Sequence, residues 1–331
     1  MGGITYLWCR EMFPRRIEIT RYPLFDVMRL FLAVEVVVVH ILAYERIPIS
    51  HMPVNAVPAF VGISGFLILQ SFERSSSWLH FAWKRVIRVG PAFIVSYVML
   101  WLLFGYSQIV PTLVNYATAG IIHQGKNGPQ WTLMVEEVLY VSMAILASIG
   151  AYKARWPIWT WAVAGVCLFP LLMQFGEYSA RVLPLVSCFP IGSLMYLYRD
   201  ALRRVPWAVW GVCLVLAPFI SVSDPWRFEL WNVLGTLGVV GLGAFGPKLI
   251  KLKADLSYGV YIYHALILNA LHATTMSNWW TIPVTLAVAT ASWYLIEKPC
   301  LRLKDYRARW ALRIRNRPVV VPLTHRVENS R

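Results

Sequence analysis

Long apolar segments separated by short polar stretches fill the chain between residues 24 and 297. Ten of them have about the length that an α-helix needs to cross a bilayer, roughly 17–25 residues. A helix satisfies all of its own backbone hydrogen bonds, which the bilayer interior requires. The pattern therefore predicts an all-α, polytopic membrane protein with about ten transmembrane helices. The segments lie near residues 24–43, 56–72, 89–106, 131–150, 156–174, 181–198, 206–222, 229–246, 255–272 and 279–297.

The basic residues are distributed unevenly over the connections between these segments. With residue 1 on the inner side, 26 of the 31 lysines and arginines fall in the inner connections and the tail, and four fall in the outer loops. Because cytoplasmic loops carry the excess of Lys and Arg, this bias predicts that both termini are cytoplasmic. The chain accordingly divides into a basic cytoplasmic segment (1–22), a transmembrane domain (23–298) and a basic cytoplasmic tail (299–331).

The composition supports a membrane protein, and this changes how the net positive charge is interpreted. The 331 residues are 58% hydrophobic and 14% charged, and they include 16 Trp and 16 Tyr, which suit the aromatic belts at membrane interfaces. A net charge of +15 would suggest a nucleic-acid partner for a soluble protein, but the topology accounts for most of it, and we expect no such partner. Five cysteines without paired spacing predict neither a disulfide framework nor a metal site.

Two connections differ from simple loops. Residues 107–130 form a long outer segment with an apolar middle, which suggests a re-entrant or interfacial piece. The tail contains LRLKDYRARWALRIRNR, which is basic and amphipathic, so we expect it to lie along anionic headgroups with membrane lipids as partners.

The first apolar segment contains ionisable residues at unusual positions. Arg29 and His40 are eleven positions apart, about three helical turns, so they share one face of a helix roughly 16 Å apart along its axis. Two interpretations stay open. Either Arg29 extends to the interface while His40 is an interhelical hydrogen-bond donor, or this face lines a polar path through the bilayer. A histidine suits such a path because it exchanges a proton near neutral pH.

Six motifs follow one another in order along almost the whole chain. The first runs from Asp26 through Arg29 to His40. The others are FVGISGFLI (60–68), KRVIRVGP (84–91), WTLMVEEVLY (131–140), LSYGVYIYH (256–264) and LIEKP (295–299). Together they resemble the membrane-bound acyltransferase family 3, with Val27 in place of the family's glycine and Leu139 where an aromatic residue is usual. Each motif is weak alone, whereas six in order indicate the family.

The resemblance implies a function. Members of this family O-acetylate polysaccharides and lipo-oligosaccharides, so we expect an acyl-CoA-dependent O-acetyltransferase in a bacterial inner membrane. Its donor would be acetyl-CoA, or another short acyl-CoA, and its acceptor a hydroxyl of a glycan or lipid-linked sugar.

Three basic residues lie together before the third segment. Arg85 and Arg88 are one turn apart, with Lys84 beside them, and guanidinium groups bind phosphates through two parallel hydrogen bonds. By charge alone these could be ordinary cytoplasmic basic residues, but the resemblance favours a site for the CoA phosphates. The pantetheine arm would extend past Arg29 towards His40, within one continuous tunnel.

His40 is the candidate general base, which would take the proton of the acceptor hydroxyl as its oxygen attacks the thioester. Glu136 enters the fourth segment at a depth similar to His40, and a carboxylate there could orient the imidazole. Glu137 is the competing choice for that contact. Alternatively, Glu136 is the buried ion-pair partner of an arginine.

Further polar residues are candidates for contacts with the substrates. Ser64 lies between Gly62 and Gly65, whose spacing first suggests close helix packing. Ser64 could instead hydrogen-bond the acyl arm, and no sequence context marks it as a nucleophile. Tyr261 and His264 lie with Ser257 on one helical stripe, which indicates either packing or substrate contact. Trp131, which opens the fourth segment, is a further candidate for substrate binding.

Two other functions compete with the enzyme. Polar residues inside a membrane also mark transporters of polar small molecules or glycan precursors, but such proteins often show internal repeats, and we find none. A scaffold in a polysaccharide-export complex would be expected to have lost residues such as His40 and Glu136, which are present.

Overall fold

The computed structural model describes residues 22–47, 52–75, 77–122, 124–150, 154–220, 224–247 and 250–303. Over these residues the ordered elements are all helical. They are α1 (Pro23–Tyr44), α2 (Ala56–Glu73), α3 (Trp78–Phe104), α4 (Ile109–Ala117), α5 (Trp131–Ser148), α6 (Trp156–Leu172), α7 (Glu177–Leu197), α8 (Arg199–Leu202), α9 (Trp207–Leu216), α10 (Pro225–Phe245), α11 (Ser257–His272), α12 (Thr281–Ser292) and α13 (Lys298–Leu301).

Shorter turns connect or extend these helices. Five are 3₁₀ turns, at Tyr106–Gln108, Gly128–Gln130, Met173–Phe175, Ala217–Phe219 and Asn278–Trp280, and a π-helical turn, Trp293–Glu297, joins α12 to α13. The expected lipid contacts of the tail, and the basic segment before Tyr22, lie almost entirely outside the described residues.

Each of the ten predicted apolar segments coincides with a helix. Seven helical stretches among the described residues are long and apolar enough to cross a membrane, which confirms a polytopic membrane protein. Two shorter apolar helices, Trp156–Leu172 and Trp207–Phe219, and the 16-residue α11 correspond to the other three segments. The number of ten spans and the cytoplasmic position of both termini stay predictions.

The third helix begins earlier than its hydrophobic pattern predicted. It starts at Trp78, because the hydroxyl of Ser77 accepts a hydrogen bond from the backbone N–H of His80 (3.1 Å) and caps the helix. The basic stretch 84–88 therefore lies on α3 itself, and the apolar segment beginning near residue 89 was only the later part of this helix.

Small residues bring α2 and α7 into close contact. A Cβ atom added to Gly65 would overlap the carbonyl oxygen of Phe189, and one added to Gly192 would overlap the carbonyl oxygen of Gly62. The hydroxyl of Ser193 also donates a hydrogen bond to the carbonyl oxygen of Gly65 (3.1 Å). The expectation that Gly62 and Gly65 serve close helix packing is confirmed.

Helix α11 lies at the centre of the part of the bundle that contains the candidate site residues. It packs against α1, α3 and α12, and every side chain from Ser257 to Leu268 is buried. The helices α1 and α11 run in the same direction, because Arg29 contacts Asp255, just before α11, while Tyr44 at the end of α1 contacts Asn269 near the end of α11. Residues near their first turns therefore lie at one end of this region, and residues near their last turns lie at the other.

Candidate active site

A cavity of about 470 Å³, which we call the basic cavity, opens among the first turns of α1, α3 and α11 and the facing sides of α2 and α5. Its lining combines basic, acidic and hydroxyl groups, including Arg29, Ser64, Lys84, Arg85, Arg88, Thr132, Glu136, Tyr140, Asp255 and Tyr261. The basic residues at 84–88, Arg29 and Ser64, which the sequence indicated separately, are thus brought into one site.

Asp255 organises two of the arginines, and the sequence analysis missed it. Its Oδ2 atom binds Arg29 Nη1 (3.1 Å) and Arg88 Nη2 (2.5 Å), while its Oδ1 accepts a hydrogen bond from the hydroxyl of Ser257 (2.6 Å). Asp255 therefore supplies the negative charge that the Arg29 and Arg88 guanidinium groups share.

Arg85 differs from these two arginines. Its Nη2 donates to the hydroxyl of Ser71 (3.2 Å), its buried Nε has no hydrogen-bond partner, and it forms no ion pair with an acid in the described part of the chain. Lys84 beside it donates through Nζ to the carbonyl oxygen of Arg74 (3.1 Å). A buried guanidinium without an ion-pair partner can accept an anionic ligand, so Arg85 suits a phosphate.

We expect Asp255→Asn to destabilise the protein by about 3–5 kcal/mol, because it leaves two buried guanidinium groups without their shared anion. Thermal unfolding of the purified chain in detergent measures this effect. Asp200→Asn is the matched control, because Asp200 is 79% exposed and pairs with Arg203 at 3.5 Å on the surface. Its removal should cost no more than about 1 kcal/mol. Equal unfolding temperatures for the two variants would contradict a structural role for Asp255.

Glu136 contacts a serine and does not pair with His40. The hydroxyl of Ser64 donates a short hydrogen bond to Glu136 Oε1, and the hydroxyl of Tyr140 donates to Ser64 Oγ (3.2 Å). Glu137 accepts a hydrogen bond from the hydroxyl of Tyr116 (2.8 Å). Among the described hydrogen bonds His40 therefore contacts neither Glu136 nor Glu137, contrary to expectation. Glu136 faces α2 in the basic cavity, whereas His40 lies in a different cavity.

That second cavity, which we call the histidine cavity, has a volume of about 410 Å³ and lies at the last turns of α1 and α11. Its lining includes His40, Tyr44, Gln108, Lys126, Pro129, Trp131 and Asn269. Trp131 thus lies where a ligand of this cavity would contact it. The hydroxyl of Tyr44 donates to Asn269 Oδ1 (3.0 Å), and Asn269 Nδ2 donates to the carbonyl oxygen of Lys126 (3.1 Å).

The imidazole of His40 has a defined tautomer. Its Nδ1 lies 2.8 Å from the carbonyl oxygen of Val36, one turn earlier on α1. A carbonyl oxygen only accepts, so the neutral ring carries its proton on Nδ1 and leaves Nε2 as a proton acceptor. The backbone of its own helix orients this ring, and no carboxylate does so among the described hydrogen bonds.

His264 lines neither cavity, and its role as a substrate contact stays a prediction. Its side chain is fully buried because α11 is enclosed on all sides along this stretch. Its Nδ1 lies 2.7 Å from the carbonyl oxygen of Tyr261, and its ring centre is 4.9 Å from that of His40. The ring of His264 therefore packs against the ring of His40.

The structure has two cavities that share no lining residue, whereas the sequence predicted one continuous tunnel. Thr132 and Tyr261 line the basic cavity, whereas Pro129 lines the histidine cavity. The hydroxyls of Thr132 and Tyr261 are 2.5 Å apart, and each lies 3.1 Å from the carbonyl oxygen of Pro129. We call these three residues the barrier.

Comparison with known proteins identifies the class. Residues 22–298 match the family described as an acyltransferase domain, acyltransferase family 3. The match covers most of the chain, so the protein belongs to this family of acyltransferases, as the six motifs predicted. Membership favours an enzyme over the transporter that the polar intramembrane residues also allowed.

Two relatives are similar along most of their length. Nodulation protein 10 of Rhizobium leguminosarum bv. viciae is 28% identical over 346 aligned positions, which cover 85% of this chain and 93% of that protein. The O-acetyl transferase of Shigella phage Sf6 is 25% identical over 333 positions, covering 83% of this chain and 94% of that protein. No solved structure matches the chain.

Proposed function

We propose that the protein is an integral-membrane O-acetyltransferase that moves an acetyl group from acetyl-CoA to a hydroxyl of a glycan or lipid-linked sugar. The observation that carries this proposal is the pairing of two cavities along one bundle. One holds Arg85, a partly buried guanidinium that forms no ion pair with a described acid, and the other holds His40, an imidazole with a free acceptor nitrogen. The relative from Shigella phage Sf6, which carries the name O-acetyl transferase, supports the reaction type.

The basic cavity is the proposed donor site. Arg85 and Lys84 bind the phosphates of CoA, and the pantetheine arm extends along α2 towards Ser64. Arg29 and Arg88 are paired with Asp255, so they do not bind phosphates directly. They contribute to the positive potential of the cavity. The thioester thereby reaches the part of the cavity lined by Glu136 and Thr132.

The histidine cavity is the proposed acceptor site. Trp131 and Tyr44 offer aromatic surfaces with polar edges, and Asn269 offers an amide, a combination that suits a hydroxyl-rich ligand. Nε2 of His40 takes the proton of the acceptor hydroxyl as its oxygen attacks the acyl carbon. The barrier residues Thr132 and Tyr261 must separate for the two ligands to meet, as conformational steps in enzymes often require.

The test is transfer of radiolabel from [acetyl-¹⁴C]acetyl-CoA in bacterial inner membranes that contain the chain. The acceptor is the total glycan and lipid-linked sugar fraction of the host. We expect the label to appear in that fraction as a base-labile ester, and not in membranes that lack the chain. A folded chain that moves no label from CoA to any fraction would refute the proposal.

A further inference from the structure

We infer that Ser64 accepts the acyl group covalently, so that transfer proceeds through an ester on Ser64 Oγ before the acceptor reacts. The inference rests on the proposed function, since it takes an acyl-CoA thioester as the donor. It assigns Ser64 a catalytic role for which the sequence around it gave no indication.

The contacts of Ser64 are those of an activated nucleophile. Its hydroxyl proton points at the Glu136 carboxylate, and its oxygen accepts a hydrogen bond from Tyr140. A serine hydroxyl becomes a good nucleophile when an adjacent base takes its proton as it attacks. With one lone pair accepting from Tyr140 and the proton directed to Glu136, the other lone pair of Ser64 Oγ is available for a carbonyl carbon.

The position of Ser64 also fits this role. Ser64, Glu136 and Tyr140 all line the basic cavity together with Arg85, so a thioester whose phosphates lie at Arg85 enters the same space. Gly62 and Gly65, on either side of Ser64, fix α2 against α7. A nucleophile on a tightly packed helix is held in position, which an active site requires.

The barrier gives a physical reason for two steps. The donor reaches Ser64 without crossing Thr132 and Tyr261, whereas His40 lies on the other side of these residues. An ester on Ser64 holds the acyl group after CoA has left. The barrier can then open with no large donor in the basic cavity, and the acyl group is not lost with CoA.

The chemistry balances without an added reactant. In the first step Ser64 Oγ attacks the thioester carbon, Glu136 takes the hydroxyl proton, the C–S bond breaks, and Glu136 returns the proton to sulfur, so that CoA leaves as a thiol. In the second step the acceptor oxygen attacks the ester carbon, and His40 takes its proton. The bond to Ser64 Oγ then breaks, and the proton from His40 replaces the one that Ser64 lost.

The experiment uses the purified full chain in nanodiscs with [acetyl-¹⁴C]acetyl-CoA and no acceptor. We expect one acetyl group per chain, bound to the peptide that contains Ser64, and release of an equal amount of free CoA in a single burst. Adding the glycan fraction should discharge the label from the wild-type chain. His40→Ala should take up the label and keep it when the glycan is added.

Variants separate chemistry from folding. Ser64→Ala should lose both labelling and net transfer, and Glu136→Gln should slow labelling. Ser142→Ala is the matched control, because Ser142 lies on α5, donates to the carbonyl oxygen of Val138 and lines neither cavity, so it should label normally. Thermal unfolding in the same nanodiscs checks that each variant is folded.

The outcomes distinguish this inference from the proposed function. If the wild-type chain transfers acetyl to the glycan but neither it nor His40→Ala ever retains label, the transfer is direct and the inference is wrong. Label on a residue other than Ser64, or wild-type transfer by folded Ser64→Ala, also overturns it. If folded wild-type chain neither releases CoA nor transfers acetyl, the proposed function itself fails.

Discussion

Replacing His40 by alanine is expected to reduce acetyl transfer to the acceptor on the order of 10²–10⁴-fold, the usual contribution of a general base. The same variant should bind acetyl-CoA as tightly as the wild type does. The reason is spatial, because His40 lines the histidine cavity and the proposed donor groups line the basic cavity. The loss should therefore appear in the rate of transfer and not in the affinity for the donor.

Transfer of label from [acetyl-¹⁴C]acetyl-CoA to the glycan fraction measures the rate. Equilibrium binding of CoA, which carries no acyl group to transfer, measures the affinity of the donor site in the purified chain. His80→Ala is the control, because His80 lies in the first turn of α3 and lines neither cavity. Full transfer by His40→Ala would remove His40 from the mechanism. Loss of donor binding in that variant would place His40 in the donor site instead.

Replacing Arg85 by alanine is expected to weaken acetyl-CoA binding roughly 10- to 100-fold. Hydrogen bonds to charged groups are worth about 1.5–3 kcal/mol, and each 1.4 kcal/mol is a factor of ten in affinity. Among Arg29, Arg85 and Arg88, Arg85 is the one that forms no ion pair with an acid in the described part of the chain, whereas Asp255 binds both Arg29 and Arg88. Arg85→Lys should give an intermediate loss, because it keeps the charge and loses the planar fork.

A comparison of ligands makes the Arg85 test specific. Calorimetry should show the loss for CoA and acetyl-CoA, and no loss for pantetheine, which carries no phosphate. Arg203→Ala serves as the control, because Arg203 is exposed, pairs with Asp200 and does not line the cavity. An unchanged affinity for CoA would place the phosphates elsewhere. Equal losses for CoA and pantetheine would show that Arg85 shapes the cavity without binding phosphate.

The two arginines that looked equivalent in the sequence have different surroundings. Arg85 and Arg88 are one turn apart on α3, and the resemblance to the family made both of them candidate phosphate ligands. In the structure Arg88 is bound by Asp255, which lies 167 positions away along the chain. The negative charge that distinguishes Arg88 from Arg85 belongs to Asp255, just before α11. The sequence of α3 therefore gives no indication of it.

His40 and Glu136 give the same lesson for the catalytic groups. The spacing from Arg29 to His40 predicted that they lie along one helix, and α1 is continuous over both. The partner of His40 was predicted to be a carboxylate, but the described contact is the carbonyl oxygen of Val36, four residues earlier. Glu136 instead contacts Ser64 on α2, and this pair is the origin of the two-step mechanism that we infer.

Properties that depend on residues close together along the chain could be predicted from the amino-acid sequence. Apolar segments long enough to span a bilayer predicted the membrane helices, because a helix in lipid needs only its own backbone partners. The ordered motifs, from Asp26–Arg29–His40 to LIEKP, predicted the acyltransferase family. The helix start at Trp78 was missed because the hydrophobic pattern reports burial in lipid, whereas these first turns carry basic residues that line a cavity.

Contacts between polar groups on different helices could not be predicted in this way. The ion pairs of Asp255, the contact of Ser64 with Glu136 and the contacts of Tyr261 with Thr132 and Pro129 each join residues that are 72 to 226 positions apart. Helical spacing fixes the face on which a side chain lies, but not the helix that packs against that face. Packing of α1, α2, α3, α5 and α11 sets these contacts, and the structure has two cavities where the sequence predicted one tunnel.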